Sequence, residues 1–267
     1  MDDLINIDKH AYKLTEFVCR DVDIDYLNGP EHWYQMCGLL HLASGIKSVE
    51  FDRIRFDEAS GYCSNADYAD EKQHELENRL VKELTQFSFI WQALEAFVDH
   101  IVPIPKKPKP PGKVNQLCLF LKNKLGHGHG FPEYYRELDH LKTLLKADCR
   151  YSSLLKIDSF SLKPYISIEG LGIAMTYKLR NLQSHGALFV PCSRQEDERY
   201  YDELVVRSCT RIVLFTIQYL LLVEFKNALT YDAFECEYSR GEKALRILHL
   251  IESRVEFNEN QYDMFGA

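Results

Sequence analysis

Apolar residues at intervals of three and four organise most of this chain. Between Asp67 and Val102 the series Leu76, Leu80, Leu84, Phe87, Trp91, Leu94 and Val98 places a continuous apolar stripe on one long amphipathic helix. Ile90, Phe97 and Ile101 widen that stripe toward its C-terminal end. A second helix is expected from about Val114 to Leu125, with Gly126 as its stop. Pro132 opens a third, with Tyr134, Leu138, Leu141 and Leu145 on one face. A fourth is expected over about 167–185, where Leu171, Ala174, Met175 and Leu182 lie on related faces. A long helix over about 195–229 and a last one over about 240–253 complete the pattern.

The segments between are of other kinds. Residues 1–66 are mixed, with short helical patterns at Tyr12–Val18 and Trp33–Leu42. Val49, Glu50 and Phe51, followed by Ile54 and Phe56, fit a strand or a loop edge. The proline- and lysine-rich stretch 103–113 is a stiff extended connector, because proline fixes φ and removes donors. His127 to Gly130 is loop, 151–165 irregular, Ala187–Cys192 extended, and 257–267 a polar tail. The expected architecture is mainly α, a helical bundle with appendages.

The longest apolar run, Ile212 to Phe225, is broken only by Thr216, Gln218 and Glu224. It is shorter than the ~20 residues that span a bilayer. It is apolar almost all the way round, so most of its sides must be covered. A central position in a bundle or a subunit interface would do that. No membrane association is expected.

With 267 residues, 46% hydrophobic and 27% charged, the chain is ordinary for a soluble protein with a sizeable core. The net charge of −8 excludes a global basic field for nucleic acid, so any such contact must come from a local patch. The N-terminal Met1-Asp2-Asp3-Leu4 lacks the basic and apolar regions of a secretory signal. The eight cysteines are scattered and form no CxxC pair, which fits small hydrophobes in a reducing, cytoplasmic setting.

The residues Arg180-Asn181-Leu182-Gln183-Ser184-His185, closed by Gly186, carry the most specific chemistry. They join a permanent cation to the one side chain that titrates near neutrality. No nucleophile stands beside them, which suits a phosphodiester carrying its own, an RNA 2′-hydroxyl. Cleavage of that bond requires a proton to leave the 2′-OH, a proton to reach the 5′-oxygen, and stabilisation of phosphoryl charge. Imidazole moves protons, and a guanidinium fork binds phosphate bidentately. Five residues make about 500° of helical rotation, so the two side chains share no face of a straight helix. The glycine relieves this by ending the helix at His185, where the helix C-terminus favours imidazolium.

This stretch resembles the Arg-x4-6-His signature of HEPN-domain ribonucleases, including the asparagine after the arginine. It looks most like the ApeA-like and abortive-infection HEPN proteins of prokaryotic anti-phage defence. Phe89–Phe97 looks like the first family helix and Val205–Phe225 like the final one. The resemblance covers roughly residues 76–230. It implies a HEPN-like four-helix bundle carrying the basic insertion at 103–113, flanked by a mixed N-terminal accessory region, 1–75, and a C-terminal helix and tail, 231–267. It also implies a homodimer whose facing motifs form one composite site. The expected activity is metal-independent endoribonuclease, acting on RNA, tRNA being one candidate. Its products would be 2′,3′-cyclic phosphate and 5′-OH ends. A toxin or defence role would follow, with an antitoxin or trigger protein as a further partner. Arg180 would bind the scissile phosphate, His185 act as acid and base, and Asn181 orient His185 or the phosphate. The competing reading is a non-catalytic HEPN module that binds RNA, a nucleotide or a partner protein.

Other candidates carry two readings each. Glu95, among Trp91, Leu94 and Val98, either aims the Arg180 guanidinium or is an acid at the edge of a buried face. Lys106, Lys107, Lys109 and Lys113 form a strip that either contacts RNA backbone or is a solvated linker. Lys178 joins Glu95, Lys106, Lys107 and Lys109 as a candidate substrate contact. His127 and His129 lack further ligands at metal spacing. Asp21-x-Asp23-x-Asp25 starts like a calcium loop, but Tyr26 replaces its glycine and His32 its bidentate acid. Neither a P-loop nor a GxGxxG motif is present. No cofactor or metal is expected.

Overall fold

The computed structural model describes residues 4–21, 30–50, 52, 64–103, 112–125, 130–148, 151–152, 163–185, 201–228, 242 and 244–251. These are overwhelmingly helical. The helices are α1 (Ile7–Asp21), α2 (Pro30–Gly45), α3 (Ser64–Ile101), α4 (Lys113–Leu125), α5 (Pro132–Ala147), α6 (Ile168–Ser184) and α7 (Tyr201–Ala228). The expected helices lie where the periodicity put them. The described N-terminal elements are both helices and contain the short helical patterns at Tyr12–Val18 and Trp33–Leu42; Val49 and Glu50 are irregular, in keeping with the loop-edge alternative, and Phe51, Ile54 and Phe56 lie outside the described residues. The last helix is shorter than the expected 240–253. Its turn ends by Ile247, and Leu250 instead forms an isolated antiparallel bridge with Leu4.

α7 is the axis of the bundle. It contacts α1, α3, α4, α5 and α6, while α2 lies across α1 and α3, and α4 packs on α6. Every residue from Ile212 to Val223 is buried, Thr216 and Gln218 included. A helix apolar on all sides therefore finds its cover inside one protomer. This removes the argument that the run needs a subunit interface. By length and composition the same helix could cross a membrane, but most of its apolar stretch is buried here.

Local chemistry sets the helix ends and crossings. Ser167 caps α6, its hydroxyl accepting the Gly170 N–H at 3.3 Å. Pro132 begins α5, where a missing donor costs nothing. Trp33 meets Phe97 edge-to-face at 4.8 Å and fixes α2 on α3. Phe131 stacks on Tyr219 at 4.6 Å and donates its backbone N–H to the Tyr219 hydroxyl at 2.9 Å. The Tyr134 hydroxyl donates to the Glu169 carbonyl at 2.7 Å and accepts the Gly172 N–H at 3.1 Å, joining α5 to α6. Gly170 and Gly172 let α6 approach its neighbours: a β-carbon on Gly170 would stand 3.2 Å from Cys118 Cβ, and one on Gly172 2.9 Å from Ile212 Cγ2.

The two ends of the described chain are sewn into the core by a buried polar chain. Gln218 on α7 donates its amide to the Leu245 carbonyl and, at 3.0 Å, to His249 Nδ1. A carbonyl oxygen can only accept, so the Gln218 Oε1 faces the other way and accepts from His10 Nε2 at 3.0 Å. His10 Nδ1 is then an acceptor for Arg211 Nη1 at 3.4 Å, and His249 Nε2 donates to Glu133 at 3.2 Å. Both imidazoles are neutral: burial, more than the neighbouring Arg211, pushes each below its ordinary pKa. The bond from His249 holds Glu133 down at about 2.

Candidate functional site

The C-terminal end of α6 carries the Arg–His motif. His185 is the C-cap residue, with φ −94° and ψ 8°, and its N–H donates to the Asn181 carbonyl at 3.0 Å. The helix thus ends at His185, as the following glycine suggested, and leaves the imidazole exposed. Gly186 lies outside the described residues. Ser184 closes the same turn by donating to the Arg180 carbonyl at 2.9 Å.

Arg180 is half-buried and lines a cavity of about 170 Å³ between α3, α4 and α6. Trp91, Leu94, Glu95 and Val98 form its α3 wall, and Tyr177 and Arg180 its α6 wall. Lys113 stands at the α4 side. The Arg180 guanidinium carbon lies 6.0 Å from the centroid of the Trp91 ring. Trp91 is in turn layered on Tyr177, with centroids 6.1 Å apart and planes 15° from parallel. The indole N–H of Trp91 donates to Glu95 Oε1 at 2.8 Å. One tryptophan therefore touches both the cation and the carboxylate of the site.

The fold brings Glu95 and Arg180 to one cavity, although they are 85 positions apart in sequence. Among the described residues Glu95 bonds to Trp91 rather than directly to Arg180. It belongs to the site, but its described bond aims the indole and not the guanidinium. Asn181 turns its Oδ1 toward Arg180 Nη1, at 3.4 Å, so its side chain contacts the cation and not His185. Lys178 is half-buried on α6 and is not among the cavity's lining residues, and neither is His185.

Lys106, Lys107 and Lys109 lie outside the described residues, as do His127, His129, Asp23 and Asp25. Lys113, at the end of that basic strip, is described. It pairs with Asp99 at 2.6 Å and joins the end of α3 to the start of α4. Both side chains are about half exposed, so the pair contributes little stability. Among the described residues no group of three His, Cys, Asp or Glu side chains gathers as a metal site. Of the cysteines, Cys37, Cys118 and Cys209 are buried thiols pushed up to about 12 by desolvation, which makes them poor nucleophiles.

Two residues of the site escaped the sequence reading in this role. Trp91 was legible only as part of the α3 stripe. Tyr177 stands three residues before Arg180, on the same side of α6. That spacing was available, but an exposed tyrosine has no distinguishing mark until its neighbour across the helices is known.

No protein-family model matches the chain, and no curated protein or solved structure matches it either.

Proposed function

We propose that this protein is a metal-independent endoribonuclease of the HEPN type, acting in a homodimer as a toxin or defence effector. The reading rests on one observation above all: a guanidinium held on an aromatic platform at a cleft, five residues before an exposed imidazole at the end of the same helix. Arg180 would grip the phosphoryl oxygens of the scissile linkage. The 2′-oxygen attacks phosphorus, the bond to the 5′-oxygen breaks, and the products are a 2′,3′-cyclic phosphate and a 5′-OH. His185, exposed at the end of the helix, would deliver the proton to the leaving 5′-oxygen. In the dimer the second copy of His185 would take the proton from the 2′-OH. Asn181, bonded to Arg180, would orient the guanidinium rather than the imidazole.

The test is incubation of the purified protein with total tRNA and other RNA in EDTA, followed by analysis of fragment ends. EDTA-resistant fragments with free 5′-OH ends, lost on Arg180→Ala or His185→Ala, are the expected result. Normal cleavage by both variants would overturn the mechanism.

A second reading is a binding module in which Arg180 is a phosphate clamp without catalysis. It is favoured by the position of His185, which does not line the cavity that Arg180 does. Binding of RNA or nucleotide with no EDTA-resistant cleavage would select it.

A further inference from the structure

Two cysteines meet where α1 packs on α2. Cys19 lies in the last turn of α1 and is exposed. Cys37 lies on α2 and is only 7% exposed. The two helices are in direct contact, and the side chains of Cys19 and Cys37 share a hydrogen bond. The other two described cysteines have different neighbours: Cys118 donates to the Gly170 carbonyl at 3.3 Å, and Cys209 stands beside Thr176. No residue of α1 or α2 lines the Arg180 cleft, so what this pair does is independent of the RNA-cleaving reading.

The unequal burial of the two thiols assigns their roles. An oxidant arriving from solvent reaches Cys19 first, because Cys37 is covered. Burial, with Cys19 beside it, pushes the Cys37 thiol up to about 12, so Cys37 is protonated at neutral pH and does not compete as the first nucleophile. A sulfenic acid on an exposed cysteine proceeds to irreversible acids unless a second thiol condenses with it. Here the second thiol is already in contact, and proximity makes up for its low reactivity.

We propose that Cys19 and Cys37 form a peroxide-responsive dithiol that closes into a disulfide between α1 and α2. The Cys19 thiolate attacks one oxygen of hydrogen peroxide, the O–O bond breaks, and Cys19 becomes a sulfenic acid as hydroxide leaves. The Cys37 sulfur then bonds to the Cys19 sulfur, and the Cys37 proton departs with the sulfenic hydroxyl as water. Together the thiols give up two electrons and two protons, and the peroxide is reduced to two waters. The sulfurs move from hydrogen-bonding contact to a bond of ~2.05 Å. The bridge ties together two helices that already touch, removes freedom from the unfolded chain, and is reversed by a thiol reductant.

The experiment treats the full, reduced chain with hydrogen peroxide, alkylates the remaining thiols in denaturant, and maps the unreduced peptides by mass spectrometry. The expected result is a Cys19–Cys37 cross-link two hydrogens lighter than the separate peptides, with a loss of two titratable thiols. The urea midpoint should rise and return to its starting value with dithiothreitol. Cys37→Ala should lose the cross-link and accumulate a sulfenic acid on Cys19 that dimedone traps. Cys19→Ser, at an exposed position that leaves packing intact, should keep Cys37 reduced at the same dose. Cys19 driven to a sulfinic acid while Cys37 stays alkylatable would overturn the proposal. So would an unchanged thiol count at a dose that oxidises free cysteine, or a bridge from Cys19 to another cysteine or to a second copy of the chain.

Discussion

Arg180 rests over Trp91, its guanidinium carbon 6.0 Å from the indole centroid, and the same indole donates its N–H to Glu95. A cation that would be mobile on a bare helix end is thereby held against the wall of a cleft. Restriction of this kind lowers the entropy lost when a phosphate binds. It also makes Arg180 and Lys unequal at this position, because an ammonium neither stacks nor forks.

Alanine at Arg180 or at His185 is expected to lower RNA cleavage by at least about 10²–10³-fold, the usual loss when a donor to developing charge is removed. Arg180→Lys should recover only a small part of that rate. Both side chains are at least partly exposed, so the melting temperature should be nearly unchanged. Rate and melting curve measured on the same preparations separate chemistry from folding.

Trp91→Phe keeps an aromatic face under Arg180 but removes the donor to Glu95. A loss of about 1 kcal/mol in denaturant stability is expected from the missing hydrogen bond. Cleavage should fall less than in Arg180→Ala, because phenylalanine is a weaker platform for a cation but still a platform. A rate equal to that of Arg180→Ala would show that the glutamate, and not the stacking, is what the tryptophan contributes.

Gly172→Ala should destabilise the protein. The new β-carbon would lie 2.7 Å from the Tyr134 hydroxyl and 2.9 Å from Ile212 Cγ2, in the seam between α5, α6 and α7. Overpacking of that kind costs about 1–3 kcal/mol, against about 1 kcal/mol gained in helix propensity. Gly38→Ala on the exposed side of α2 meets nothing within 4 Å and should stabilise by about 0.5–1 kcal/mol. Urea denaturation of the two variants, with opposite shifts in midpoint, tests the close approach directly.

Gln218→Leu should cost several kcal/mol. It leaves the His10 N–H, the His249 Nδ1 and the Leu245 carbonyl without partners in the core, at about 1–3 kcal/mol each. The segment from Leu245 to Leu250 should become the first site of limited proteolysis, since the same amide ties it to α7.

Acid should lower the stability of the protein from two onsets, near pH 6.5 and near pH 4.5. His10 and His249 have folded-state pKa values lowered by burial, with Arg211 adding to the shift in both. The unfolded chain takes up protons near the ordinary 6.5 while the folded chain does not, so stability is full above that pH and falls as pH drops toward the lowered values. Glu133, shifted from 4.5 to about 2, contributes stability that is present above 4.5 and lost between 4.5 and 2. Chemical denaturation across this range should show the first decline beginning near pH 6.5, and His249→Asn should flatten it.

Much of the secondary structure was legible because its signal is local. The apolar stripe from Leu76 to Val98 and the proline at 132 each act within a turn or two, and the helices followed them. The position of His185 at a helix end was legible for the same reason. The C-terminal helix was overextended: Leu250 pairs with Leu4, and His249 bonds to Gln218 and Glu133. Pairing with residues far away in sequence overrides local preference and leaves no periodicity to read.

By itself the amino-acid order determined a mainly helical chain, a largely apolar segment that had to be covered, and an Arg–His pair at the end of one helix. Tertiary structure decided that the apolar segment is covered by the protomer's own helices. It also decided that Arg180 meets Trp91 and Glu95, and that His10, Gln218 and His249 form one chain of bonds. The division has a simple cause. Periodicity records which side of a helix turns inward, whereas the identity of what lies across the core depends on how whole helices are placed, and that is fixed only when the surfaces pack together.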